Sequence, residues 1–187
     1  MLLQGEFRRK NIMSNVINNI KERRSIRKYK PEMVPKDVIA KVMEAGLYAA
    51  NGMGSQSSII VAVTNPETIR KLAAVNAKIM GQGESFDPFY GAPVVLIVLD
   101  PVKSPTAVYD GSAVLQTMML AAEDMGLGTC WIHRAKEEFE MPEWKEWLAS
   151  IGVQGDYQGV DHCILGYPDG DHPKAPARKE GRIYWAE

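Results

Sequence analysis

The chain has 187 residues, of which 45% are hydrophobic and 24% charged, and its formal net charge is −1. This composition is that of an ordinary globular protein, which excludes extensive disorder and favours a single domain. Proteins that bind nucleic acid over much of their surface carry an excess of basic residues, and this chain has no such excess. We therefore expect no nucleic-acid partner.

The cysteines and the N-terminus also limit the possible classes. Cys130 and Cys163 are too few for a structural zinc site of four cysteines, and both lie in apolar runs, so we expect buried free thiols and no metal. The sequence has no secretory signal and no run of about 18 apolar residues, so we expect a cytoplasmic protein that does not associate with membranes. Residues 1–13 are interpreted as an N-terminal extension, with Met13 as an alternative start, and residues 14–187 as one domain.

Apolar spacing and turn residues predict two helices before the first strand. Ser14 is expected to cap the first helix, which runs to about Arg24, and Pro35 opens the second, which ends before the glycine-rich loop 51–57. Strands and helices then alternate, and a tail rich in Pro, Lys and Arg follows on the surface. The predicted elements after the loop are strand 58–64, helix 66–80, strand 94–100, helix 106–125, strand 128–132, helix 142–152 and strand 160–167. This order predicts an α/β protein with helices on both faces of a sheet.

Side chains for acid–base or nucleophilic catalysis are not evident. The sequence contains no nucleophile elbow, no phosphate-binding loop with its lysine and no zinc-peptidase motif. Asp161 and His162 are neighbours in a predicted strand, so their side chains point to opposite faces and cannot act as a pair. We expect His133, His162 and His172 to be either exposed or buried with a partner. If the chain is an enzyme, a cofactor is expected to carry the chemistry.

Residues 23–29, RRSIRKY, hold three arginines and a lysine around one serine. One interpretation is a solvated helix end, where basic residues complement the helix dipole. The other is an anion site: if the chain becomes extended at Arg24, then Arg23, Ser25 and Arg27 point to one side and can donate to a phosphate. From these residues alone, the helix end is the more common case.

Five segments, in order along the chain, resemble the nitroreductase family of flavoproteins. They are RRSIRKY, YAANGMGSQSSIIVAV, DPFYGAPVVLIVL, AAEDMGLGTCWI and ILGYPDGDHPKAPARK. The resemblance covers residues 14–180. It implies a nitroreductase-like mixed sheet of the α/β (α+β) class and an intertwined homodimer with two FMN sites at the subunit interface.

The resemblance also implies which residues contact the cofactor. Residues 23–27 match the motif that grips the FMN phosphate, and two tail residues match those that reach back to it. A loop around residue 51 matches one that the neighbouring subunit lays against the flavin, and the end of the third strand matches the segment beside the isoalloxazine ring. The implied cofactor-binding residues are Arg23, Arg24, Ser25, Arg27, Ala50, Asn51, Gly52, Gln56, Cys130, Trp131, Ile132, His133, Arg178 and Lys179. No side chain is expected to be catalytic, because flavin N5 carries the chemistry.

By this resemblance, the chain is expected to pass a hydride from NADH or NADPH through FMN to a small electron-poor acceptor, such as a nitroaromatic or a quinone, with ping-pong kinetics. Two departures lie near the expected acceptor entrance: Ala50-Asn51 stands where the family often has Pro-Ser, and Gln56-Ser57 where it often has Gln-Pro. Two alternatives remain open. One is dehalogenase-like or flavin-fragmenting chemistry on the same fold, and the other is a non-catalytic flavin-binding module.

Overall fold

The computed structural model describes residues 9–83 and 85–187 of the chain. In this part of the chain there are six α-helices and four strands. In chain order they are α1 (Arg9–Glu22), α2 (Lys36–Leu47), β1 (Ile59–Val63), α3 (Pro66–Ile79), β2 (Val94–Pro101), α4 (Ala107–Asp124), β3 (Gly128–Ile132), α5 (Ala135–Phe139), α6 (Pro142–Ser150) and β4 (Tyr157–Gly166).

The four strands form one sheet in the order β1-β2-β4-β3, and each neighbouring pair is antiparallel. Within the described residues, the parallel component of the sheet is confined to an isolated bridge between Ser25 and Thr129. Strand β2 lies in the middle of the sheet, and its residues 94–100 are all buried. A fully apolar strand is what a sheet covered on both faces requires.

Two apolar layers hold the helices against the sheet. Because side chains alternate along a strand, Leu96 of β2 packs with α2 and α4, while Ile97 packs on the opposite face with α3, α5 and α6. The two cysteines are buried free thiols, one in each layer. The predicted fold class, with helices on both faces, is confirmed.

One helix start, one additional helix and one strand start differ from the prediction. Helix α1 begins at Arg9 rather than at Ser14, so the predicted boundary after residue 13 falls inside the helix, and residues 1–8 lie outside the described part. Helix α5 was not predicted, because its five residues are too short to show a period. Strand β4 begins three residues before the predicted start at residue 160.

The helices within residues 9–83 and 85–187 include none that is both long enough and apolar enough to cross a membrane.

Candidate functional site

The arginine-rich segment after α1 lies alongside β3. Ile26 donates its backbone N–H to the carbonyl oxygen of Thr129 at 2.8 Å, and its side chain is only 6% exposed. The segment approaches closely because β3 begins with Gly128, where an added Cβ would lie 2.9 Å from the Ile26 side chain. The chain therefore becomes extended after α1, as the anion interpretation requires.

The two arginines at the end of α1 play different parts. Arg24 donates from Nη2 to the carbonyl oxygen of Lys21 at 2.6 Å and from Nη1 to that of Arg23, so it completes the last turn of the helix. The Nη1 atom of Arg23 and the Nε atom of Arg24 are buried without a hydrogen-bond partner within the described residues. Buried donors without acceptors are costly, and an anion would satisfy both.

Arg27 lies on the outer side of the same segment and is exposed. Its guanidinium carbon lies 5.8 Å from the ring centroid of Tyr90, a cation–π contact with the loop before β2. Ser25, two residues earlier, is half-buried. Ser25 and Arg27 both line a cavity of about 270 Å³ between this segment and residues 168–173.

The start of the C-terminal tail forms the other wall of that cavity. Lys30 donates its backbone N–H to the carbonyl oxygen of Tyr167 at 2.9 Å. The backbone N–H of Asp169 donates to the carbonyl oxygen of Lys28 at 3.0 Å. Lys28 Nζ lies 2.8 Å from Asp169 Oδ2, and this hydrogen bond holds the pKa of the Asp169 carboxyl below its usual value. The two segments, which are distant in the sequence, therefore meet through their backbones.

The predicted tail residues lie beyond this meeting point. Arg178 donates from Nε and Nη2 to the carbonyl oxygen of Pro176, at 3.1 and 2.6 Å, and both Arg178 and Lys179 are exposed. The cavity lining ends at Pro173. The convergence of Arg178 and the phosphate motif on one flavin phosphate stays a prediction.

The loop after α2 is held by short polar contacts. The Asn51 side-chain oxygen accepts from the backbone N–H of Gln56 at 3.0 Å, and Gly52 donates its N–H to Asp110 Oδ1 at 2.9 Å. A Cβ at Gly52 would lie 2.6 Å from Thr106 Oγ1, so a side chain does not fit there. Ala50, which precedes Asn51, is exposed.

Asn51 and Gln56 line a cavity of about 350 Å³ beside β1. Strands β1 and β3 are the two edges of the sheet. Three interstrand spacings of about 4.8 Å separate them. One chain therefore brings residues 23–27 to β3 but leaves the loop residues 50–56 at the opposite edge.

The end of β3 carries a polar cluster that the sequence did not reveal. Trp131 Nε1 donates to Asp161 Oδ2 at 2.6 Å, and His133 Nδ1 lies 2.7 Å from the same oxygen. Asp161 and His162 do point apart, as predicted, but Asp161 has a histidine partner, His133, directly after the neighbouring strand. Such a cross-strand pair depends on register, for which the only signal in the sequence is the spacing of Trp131 and His133 by two residues.

A second polar cluster lies on the other face of the sheet. Asn76 donates from Nδ2 to the carbonyl oxygen of His133 and to Glu138 Oε1, both at 2.7 Å. Glu138 Oε2 lies 2.9 Å from His162 Nε2, although the two atoms are not aligned as a hydrogen bond. Asn76, Glu138 and His162 are fully buried. They hold the turn after β3, where Arg134 adopts a φ of 92°, a left-handed conformation that is unusual for a residue other than glycine.

Cys130, Trp131 and Ile132 lie in β3, and His133 directly follows it. Cys130 is buried, Trp131 and Ile132 are half-buried, and His133 is exposed. His172 in the tail lies 3.2 Å from Glu123. His133 and His172 are exposed, as expected, whereas the buried His162 has no hydrogen-bond partner for Nε2 within the described residues.

A model of the family described as "Nitroreductase family" matches residues 20–167. The chain belongs to the nitroreductase family. This match includes the arginine-rich segment, the loop after α2 and all four strands of the sheet, and the predicted family is confirmed.

Solved structures and curated sequences give the same family. A nitroreductase with bound FMN from Bacteroides fragilis is 30% identical and superposes with a TM-score of 0.82, covering 92% of this chain and 99% of that one. A protein of Methanothermobacter thermautotrophicus, named as a candidate NADH dehydrogenase/NAD(P)H nitroreductase, is 32% identical over 63% of this chain and 60% of its own length. A protein of the same name from Archaeoglobus fulgidus is 28% identical over 83% of this chain and 87% of its own length.

Proposed function

We propose that this chain is a cytoplasmic, FMN-dependent oxidoreductase that uses NADH or NADPH to reduce a small electron-poor acceptor, such as a nitroaromatic or a quinone. The observation that carries the proposal is the buried Nη1 atom of Arg23, which has no hydrogen-bond partner among residues 9–83 and 85–187. The FMN of the Bacteroides fragilis nitroreductase and the nicotinamide named for the archaeal relatives support the choice of cofactor and donor.

The residues present fit a flavin phosphate. Arg23 and Arg24 together offer two buried N–H donors that lack acceptors in the part of the chain that the structure describes, and a phosphate accepts several charge-assisted hydrogen bonds. Ser25 and Arg27 line the adjoining cavity and complete the proposed phosphate site. Residues 130–133 are proposed to lie beside the isoalloxazine ring of FMN. When bound, FMN would accept a hydride from the nicotinamide and pass reducing equivalents to the acceptor.

We also propose that a second copy of this chain completes the site. The loop that carries Asn51 and Gln56 lies at the sheet edge opposite β3, and Arg178 makes its hydrogen bonds within the tail. The last apolar residues of the tail, Ile183, Tyr184 and Trp185, are 82%, 85% and 86% exposed in the single chain. Apolar side chains exposed to this degree in a row favour burial against a partner.

Sedimentation velocity tests the dimer. The full chain is expected to sediment as a dimer, and a chain that ends at Pro173 is expected to shift toward the monomer and to lose FMN. Its control is a chain in which Ile183, Tyr184 and Trp185 are kept and only Glu187 is removed. A full-length monomer that retains FMN would contradict the proposed intersubunit site.

Anaerobic spectroscopy tests the function. The purified protein is expected to be yellow, to bleach when NADH or NADPH is added under nitrogen, and to regain its colour when a nitroaromatic or a quinone follows. Yellow protein that neither nicotinamide bleaches would favour a flavin-binding module or other chemistry. A halogenated phenol should be tested as an acceptor beside the nitroaromatic and the quinone, because an iodotyrosine deiodinase, at 21% identity, shares this fold.

A further inference from the structure

We propose that His133 and Asp161 form a proton-transfer dyad, in which Asp161 positions the imidazole and His133 Nε2 gives a proton to the acceptor. The inference rests on the proposed function, because it assigns the source of a proton that the reduction of a quinone requires. The sequence assigned no acid–base role to any side chain, so the dyad adds a chemical step to the site.

The register of the sheet produces this pair. Strands β3 and β4 are antiparallel, and their last registered pair at this end is Ile132 with His162. One residue further along the same register, His133 stands opposite Asp161. Because directly opposed residues of an antiparallel pair share a face, the two side chains meet there. Trp131, two residues before His133, shares that face as well.

The contacts of the carboxylate fix the orientation of the imidazole. Trp131 Nε1 can only donate, so Asp161 Oδ2 is the acceptor in the 2.6 Å hydrogen bond between them. The same oxygen lies 2.7 Å from His133 Nδ1. That nitrogen therefore carries the hydrogen in the neutral ring, and Nε2 is the atom that is left to exchange a proton.

Exposure differs sharply between the two members of the dyad. The Asp161 side chain is 10% exposed, whereas the His133 side chain is 79% exposed. The carboxylate is thus part of the protein interior, and the ring that it holds projects outward. The backbone is held from the opposite face of the sheet, because Asn76 donates to the His133 carbonyl oxygen. An exposed histidine fixed at both its ring and its backbone is suited to deliver a proton at a defined position.

The proton balance defines the step. A quinone takes up two electrons and two protons when it becomes a hydroquinone. A hydride from the nicotinamide donor accounts for the two electrons and one proton. For the second proton, the Nε2–H bond of protonated His133 breaks as an O–H bond forms on the quinone oxygen, and the ring then takes a proton from water. General acids placed in this way contribute about 10²–10⁴-fold to a rate.

Imidazole ¹⁵N NMR of the purified protein tests the positioning role without using activity. At a pH where the ring is neutral, His133 is expected to carry its hydrogen on Nδ1. Asp161→Asn retains an acceptor oxygen and is expected to keep this tautomer. Trp131→Phe removes only the indole N–H that donates to Asp161, so it should keep the tautomer too. Asp161→Ala removes the acceptor and is expected to shift the ring toward the Nε2–H form. A wild-type ring with its hydrogen on Nε2 would overturn the proposal.

Two electron acceptors test the proton step. Benzoquinone needs a proton, and ferricyanide accepts one electron without one. In His133→Gln, the ratio of the benzoquinone rate to the ferricyanide rate is expected to fall about 100-fold. His172→Gln, which alters another histidine close to a carboxylate, should leave this ratio unchanged.

The outcomes separate the two hypotheses. A ratio that stays constant in His133→Gln, whether both rates fall or neither does, overturns the proton role. A wild-type protein that reduces neither acceptor refutes the proposed function instead, and the ¹⁵N experiment then still decides whether Asp161 sets the tautomer of His133.

Discussion

Ile26 and Thr129 are joined by a backbone hydrogen bond of 2.8 Å, and this contact places the arginine-rich segment against β3. The segment that supplies Arg23 and the strand that ends just before His133 are therefore one structural unit. Any change that separates them is expected to affect both the stability of the fold and the affinity for FMN.

Gly128→Ala is expected to separate them. The added Cβ would lie 2.9 Å from the side chain of Ile26, which is 6% exposed and has little room to move. Overpacking of this kind costs about 1–3 kcal/mol, and FMN affinity should fall with it. Urea unfolding and FMN titration measure the two effects.

A double mutant supplies the control for that contact. Ile26→Ala alone leaves a cavity and is expected to destabilise the protein by about 2–5 kcal/mol. In Gly128→Ala/Ile26→Ala, the new methyl group occupies part of that cavity, so the loss should be smaller than the sum of the two single losses. Strictly additive losses would show that Gly128 and Ile26 do not interact in this way.

Alkaline pH is expected to destabilise the protein through Cys163. Burial raises the pKa of this thiol from 9.0 to about 12, while the charge of Arg23 opposes the rise. Between those values the folded state holds a proton that the unfolded state releases, so stability is fully present below pH 9 and falls as the pH rises toward 12. One such group contributes a slope of up to about 1.4 kcal/mol per pH unit.

Urea unfolding of the wild type and of Cys163→Ala measures this slope between about pH 8 and about pH 11, a range that includes the thiol pKa of the unfolded chain. The variant should lose stability less steeply with pH, whatever its stability at pH 8. Part of the slope should remain, because burial also raises the pKa of the Tyr29 hydroxyl. Equal slopes for the two proteins would contradict the assignment.

Asn76→Ala is expected to destabilise the fold by about 1–3 kcal/mol, because it leaves the buried oxygens of Glu138 and His133 without their donor. The matched control is Asn18→Ala on α1, where the side chain is exposed and a change within about 0.5 kcal/mol is expected. Thermal and urea unfolding measure both. Similar small effects in the two variants would show that the buried amide contributes little.

Much of the fold follows from local patterns in the sequence. The run at residues 94–100 is apolar throughout and is a central strand, and Asn65 and Pro66 begin α3 where the capping rules place them. The start of α1 was missed because Ser14, a good capping residue, here lies within a helix that continues from Arg9. Helix α5 is too short to have a recognisable apolar face.

The site depends more on contacts between distant segments. The sequence left open whether the chain becomes extended after α1, and the contact of Ile26 with Gly128 depends on which strand lies beside it. The pairing of His133 with Asp161 depends in the same way on the register of β3 and β4. Patterns within one segment do not show which distant residue each side chain contacts, so only the fold reveals these pairs.

We propose that the Arg23 region holds a flavin phosphate, and the affinities for FMN and riboflavin test this most directly, because riboflavin lacks the phosphate. Isothermal titration should show that the wild type binds FMN more tightly than riboflavin, with Arg23 contributing about 1.5–3 kcal/mol of the difference. Arg23→Ala should lose that part, whereas Lys30→Ala, which removes an exposed cation directly after the arginine-rich segment, should keep it. Equal affinities of the wild type for FMN and riboflavin would contradict the account.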